Sequence, residues 1–190
     1  MNRALVLAAL VLAACGYRLP GGADVPEGVR TVSIQLFNNH TREHGLEVRV
    51  RRAIEDEFRR HGPLRVVDDP EGDLILSGDI RSFSSVPVAF SATDEAVQYQ
   101  GVIVVGMRLT ERTSGRTVHE TKALQESQDF GAVSGVVITS SPHFQRGTVD
   151  GRDLANLTNV QIGETRRREA LRELLDDLAR DVYQQAMEGF

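Results

Sequence analysis

The sequence predicts an α+β fold. The expectation is a two-layer sandwich in which a mostly antiparallel or mixed sheet of about four strands is covered by two helices. Three observations carry it. Two separate stretches, Gly45 to Arg60 and Glu164 to Glu188, repeat apolar residues at helical spacing. The residues between them form runs in which apolar and polar side chains alternate, as in half-buried strands. Each helix has one apolar stripe, so a single sheet face can bury both.

Val29 to Phe37 alternates Val32, Ile34 and Leu36 against Thr31, Ser33 and Gln35 and reads as a strand. Asn38 to His44 is polar and reads as a loop. In the first helix Leu46, Val50, Ile54 and Phe58 form the stripe, and Glu47, Arg49, Arg52, Asp56 and Arg59 lie on or near the other side. His61-Gly62-Pro63 ends it, since proline cannot continue a helix. Leu64 to Val67 is a short strand and Asp68 to Gly72 a turn. Leu74 to Phe83 is a longer strand with Leu74, Leu76 and Ile80 on one face. Pro87 lacks an amide donor and marks an edge or bulge near that strand's end.

Val97 to Arg112 is the longest strand candidate, with Ile103, Val105, Met107 and Leu109 pointing one way. Thr113-Ser114-Gly115 is a hairpin turn, and Thr117 to Gln128 returns beside it. Phe130 to Gly163 is rich in glycine and reads as a long loop or small hairpin inserted before the last helix. In that helix Leu171, Leu174, Leu175, Leu178, Val182 and Ala186 make the stripe.

Composition narrows the function. The chain has 190 residues, 41% hydrophobic and 26% charged, with a formal net charge of −5. That is ordinary globular composition, and the length suits one domain. An acidic chain without Trp is a poor ligand for nucleic acid, which needs a basic surface. One cysteine excludes an internal disulfide framework and a cysteine-cluster metal site.

That cysteine closes a leader-like segment. Met1-Asn2-Arg3 is a short positive start, and Ala4 to Ala14 is an unbroken run of small or aliphatic residues. The run falls short of the roughly 20 apolar residues that span a bilayer core. It matches a secretory signal instead. Leu12-Ala13-Ala14-Cys15 also resembles the bacterial lipobox, in which the cysteine thiol takes a diacylglyceryl group before cleavage. The expected organisation is therefore a signal peptide at 1–14, an acylated tether at 15–29 and a single domain at 30–190 with the glycine-rich insertion at about 130–163. Stable anchoring takes more than one acyl chain, which an acylated amino terminus on Cys15 would provide. Gly16 stands where an Asp would mark inner-membrane retention, which favours the outer membrane.

Reactive motifs are scarce. His40 to His44 matches H-x-x-E-H, but helical periodicity begins only at Leu46, so the two histidines lack the helix face that would bind zinc. Asp129-Phe130-Gly131 repeats a kinase triplet without the phosphate loop or catalytic loop that gives it meaning. Ser134, His119 and His143 have no spacing that assembles a nucleophile and base. No catalytic, metal or cofactor residue is expected, and the reading is not an enzyme. Arg49, Arg51 and Arg52, and Arg166 to Arg168, read as solvated helix faces balanced by nearby acids. Their alternative is contact with phosphate-bearing headgroups.

Cys15-Gly16-Tyr17-Arg18-Leu19 resembles the start of mature LptE-family proteins, the lipopolysaccharide-assembly lipoproteins. The likeness continues through Leu19-Pro20-Gly21, Val25-Pro26-Glu27-Gly28-Val29-Arg30-Thr31-Val32-Ser33-Ile34, Phe37-Asn38-Asn39-His40-Thr41, Gly45-Leu46-Glu47 and Asp73-Leu74-Ile75-Leu76-Ser77-Gly78, and takes in the strand pair around Thr113-Ser114-Gly115 and the C-terminal helix. It implies a two-helix, mostly antiparallel sheet domain anchored by lipidated Cys15 on the periplasmic side of the cell outer membrane. It further implies a non-catalytic plug that assists assembly of an LptD β-barrel and contacts lipopolysaccharide during export. The competing reading is a lipid-anchored periplasmic binding module with a different envelope partner.

Overall fold

The computed structural model describes residues 28–131 except 69, 70, 93 and 95, the helix from 151 to 188, with side chains from 163 onward, and residue 190. Cys15, the signal segment, the tether, Ser134 and His143 lie outside the described residues.

Among the described residues eight elements follow in order: β1 (Thr31–Ile34), β2 (Asn38–Asn39), α1 (Leu46–His61), β3 (Arg65–Val67), β4 (Leu74–Phe90), β5 (Ala96–Glu111), β6 (Thr117–Gly131) and α2 (Gly151–Glu188). The sheet has six strands in the order β3-β1-β4-β5-β6, with β2 also pairing β4. The expected count of about four is thus too low, although the two-helix α+β class stands. The sheet is mixed. β1 pairs β3 and β4 in parallel, β2 pairs β4 in parallel, and β4-β5-β6 is antiparallel. Parallel neighbours need a crossover, and α1 supplies it between the β1–β2 segment and β3.

Both predicted stripes form the core. Leu46, Val50, Ile54 and Phe58 of α1 and Leu171, Leu174, Leu175, Leu178, Val182 and Ala186 of α2 are buried. They meet Leu74, Leu76 and Ile80 of β4 and Ile103, Val105, Met107 and Leu109 of β5. The helices also touch each other, where Phe58 and Tyr183 meet edge-to-face at 5.1 Å and the Tyr183 hydroxyl donates to the His61 carbonyl at 2.9 Å.

Several boundaries differ from expectation for identifiable reasons. β1 ends at Ile34, and Leu36 is 51% exposed while Phe37 is buried. Between the pairs Ile34↔Leu76 and Asn38↔Asp79 the β1–β2 segment uses one residue more than β4. That extra residue reverses which side chain turns inward. Asn38–Asn39, expected as loop, is a strand because β4 offers it a partner edge. Ser33, expected on the polar side, is fully buried, with the Gly72 backbone packed against it. β4 runs past Phe83 to Phe90, and register shifts on either side of Ala89 put an irregularity immediately after Pro87, near the strand's end as expected. The long loop or hairpin expected over Phe130 to Gly163 is replaced at its end by helix from Gly151.

Candidate functional site

Among the described residues, segments that carry the family resemblance meet at one joint between β1, β2, α1 and β4. Asp73 stands immediately before β4 with its carboxylate turned back on β1. One oxygen accepts from the backbone amides of Arg30 and Thr31, each at 3.0 Å, and from the Thr31 hydroxyl at 2.7 Å. The Asp73 amide donates to the same hydroxyl at 2.9 Å. The Arg30 amide, then Thr31, holds this carboxyl below its ordinary range. Arg112 closes the knot from the end of β5, its amide donating to the Asp73 carbonyl and its Nε to that of Gly72.

Five residues on, Gly78 leaves room for the ring of Phe37. Asn38 then donates to the Asp79 carboxylate at 3.0 Å. Asn39 organises the turn into α1. Its carbonyl oxygen accepts from the Thr41 amide and hydroxyl, and its amide nitrogen donates to the Glu43 carbonyl and the Glu47 carboxylate. The turn closes at Gly45 with φ of 76°, a conformation that favours glycine. The shared motif is therefore a scaffold that locks β1, β2, α1 and β4 together. Sequence reading placed these segments in strands, a loop and a helix start but did not foresee the hydrogen bonds that join them. Its legible signal is the spacing of Asp73 and Gly78, with the first polar group knotting β1 and the last position bare.

The face of the sheet turned away from the helices is polar. Its central concavity has a volume of about 320 Å³ and includes Asp79, Arg81, Gly106, Arg108, Glu120 and Lys122. Arg108 pairs with Glu120 at 2.9 Å, and this guanidinium holds the Glu120 carboxyl below its usual range. Asp79 is likewise lowered, chiefly by Asn38. At the far end of β4, Val86, Val88 and Phe90 are exposed.

The residues flagged for chemistry behave as surface groups. His40 and His44 sit before α1, outside any helix, and His40 lies 3.5 Å from Asp79. Among the described residues no group of three or more His, Cys, Asp or Glu is arranged to hold a metal ion. Asp129 accepts from Gln98 and Gln100, and His119 meets the Thr121 hydroxyl. Of the two arginine clusters, Arg49 and Arg167 converge on Glu43 at 3.3 and 2.9 Å, Arg51 pairs with Glu55 and Arg168 with Glu164. Glu43 thereby ties the loop before α1 to both helices.

The profile of the family described as LptE, lipopolysaccharide-assembly, matches residues 29–186. No curated protein sequence matches the chain. Among solved structures, a protein from Xanthomonas campestris superposes with a TM-score of 0.52 at 12% identity, over 89% of this chain and 90% of that one. Its likeness shows the fold. A minor lipoprotein from Acinetobacter baumannii gives 0.47 at 12% identity, over 84% of this chain and 94% of its own. A lipoprotein B from Nitrosomonas europaea gives 0.47 at 12% identity, over 91% and 92%.

Proposed function

The chain belongs to the LptE, lipopolysaccharide-assembly, family, and from that premise we propose that it is a non-catalytic lipoprotein of the outer membrane that plugs an LptD-like β-barrel and assists its assembly. The family match over residues 29–186 carries this reading. In it, residues 1–14 are a signal peptide, Cys15 carries the acyl chains, and the segment to residue 29 tethers the folded body to the periplasmic leaflet. The body then offers a partner a surface of mixed charge rather than an apolar one, which suits the polar lumen of a barrel. Anchoring raises its concentration in the membrane plane, so polar, partly wet contacts suffice for a stable pair.

Co-purification tests the proposal. Extraction of outer membranes in mild detergent should bring down a large barrel protein in one-to-one ratio with the lipoprotein. Recovery of the lipoprotein alone, or with a different envelope protein, would refute the barrel role.

A further inference from the structure

We infer that the knot around Asp73 is a mechanical clamp, which takes a pull on the N-terminal segment and keeps that pull from drawing β1 out of the sheet. The chain enters the described body at Gly28, Val29 packs against the core, and β1 begins at Thr31. β1 is only Thr31–Ile34, yet it lies between two partners, β3 and β4. Both pairings are parallel, so the three strands begin at the same end, with Thr31 beside Arg65 and Val32 beside Leu74. A pull on Gly28 away from that end loads β1 lengthwise. Ladder hydrogen bonds run from strand to strand, across such a pull, so they are sheared together and not opened one at a time. A strand of four residues has few of them to share the load.

The additional bonds stand at the point of entry. Asp73 takes the amides of Arg30 and Thr31 and the Thr31 hydroxyl on one oxygen. Its charge makes these bonds stronger than neutral ones. From the other side the Arg65 amide donates to the Arg30 carbonyl at 2.9 Å, so Arg30 is held from both neighbours of β1. Gly72 lies flush against β1, since a Cβ there would stand 2.4 Å from the Ser33 amide nitrogen. The load then passes inward. Arg112 binds the carbonyls of Gly72 and Asp73 to the end of β5, and β5 pairs β4 from Leu74 to Phe90. A pull on a four-residue strand is thereby spread over the long antiparallel part of the sheet. That a membrane anchor at Cys15 supplies the pull rests on the proposed function, whereas the clamp itself does not.

The test is stretching at constant force in an optical trap. The full chain is made without membranes, in a neutral detergent, so that the Cys15 thiol is free to take one handle. The other is attached through Ala92→Cys, in the exposed turn between β4 and β5 at the far end of the sheet. Under load Asp73→Asn should shorten the lifetime of the folded state about tenfold, and Thr31→Val, which keeps the carboxylate and removes the hydroxyl, about threefold. Gly78→Ala, which strains the same strand away from the entry, is the comparison. Its lifetime under load should fall only by the factor by which its unfolding in urea accelerates. Asp73→Asn and Thr31→Val should lose more under load than in urea. Losses under load that match those in urea for all three variants overturn the clamp, as does an unchanged lifetime for Asp73→Asn. Palmitate labelling and co-purification read the anchor and the partner separately, so a failed clamp and a failed functional reading are distinguishable.

Discussion

Gly78 on β4 lies directly against the ring of Phe37. A Cβ at Gly78 would stand 2.4 Å from Phe37 Cε1 and 2.4 Å from the carbonyl oxygen of Gly106. One of those neighbours is backbone, so the strain cannot be relieved by a rotamer change. Gly78→Ala should therefore destabilise the protein by about 1–3 kcal/mol, read from urea denaturation. Gly163 provides the contrast. It lies within α2 with nothing within 4 Å of its Cβ position, and Gly163→Ala should stabilise by about 0.4–1 kcal/mol. Equal effects at the two positions would show that the contact with Phe37 is not enforced.

Asp73 joins the first strand to the fourth through three accepted bonds, so Asp73→Asn should lower stability by about 1–2 kcal/mol at neutral pH. The pH dependence has a definite sign. The folded carboxyl titrates below 3.8, so its stabilisation is present above that value and lost as the pH falls through the depressed one. Urea midpoints of parent and variant should accordingly be well separated at pH 7 and converge in acid. A constant separation would contradict the knot.

Glu126 on β6 has the opposite sign. Burial against α2, then a hydrogen bond to Asp181 and the charges of Asp181 and Asp177, push its carboxyl from 4.5 up to about 7. The folded state keeps a proton that the unfolded chain has released, so stability falls as the pH rises from 4.5 to about 7. Glu126→Gln should raise the melting temperature by a few degrees at pH 8 and flatten this dependence. A melting curve for the parent that is flat across that interval would refute the assignment.

Leu175 is 5% exposed in the stripe of α2. Leu175→Asp places an unpaired charge in the core and should abolish cooperative unfolding at ambient temperature. An unchanged melting temperature would mean that α2 does not cover the sheet in solution.

The proposed acylation of Cys15 predicts that Cys15→Ser moves the protein from the membrane fraction to the soluble fraction and ends incorporation of radiolabelled palmitate. Palmitate still entering the variant would place the anchor elsewhere.

The helix stripes and the long strands were legible because they repeat. Leu46 to Phe58, Leu171 to Ala186, and Ile103 to Leu109 are periodic in sequence, and burial follows the period. The first turns of α2 were hidden by Gly151 and Gly163, which read as breakers. A glycine inside a helix costs only about 1 kcal/mol relative to alanine, so the helix runs through Gly163. Asn38–Asn39 is too short and polar to signal a strand, and only the edge of β4 makes it one.

Sequence alone determined the local side of this protein: its two helices, its hairpin turn, its alternating faces, its net charge and its family likeness. Each depends on residues near one another along the chain. Register and convergence were decided only in three dimensions. Phe37 rather than Leu36 turns inward, Glu43 gathers arginines from two helices, and Arg81 reaches across Gly106 beside Lys122. The physical reason is that a single inserted residue reverses every later side chain on a strand. For Phe37 its place is set by pairing between segments 41 residues apart, Asn38 with Asp79.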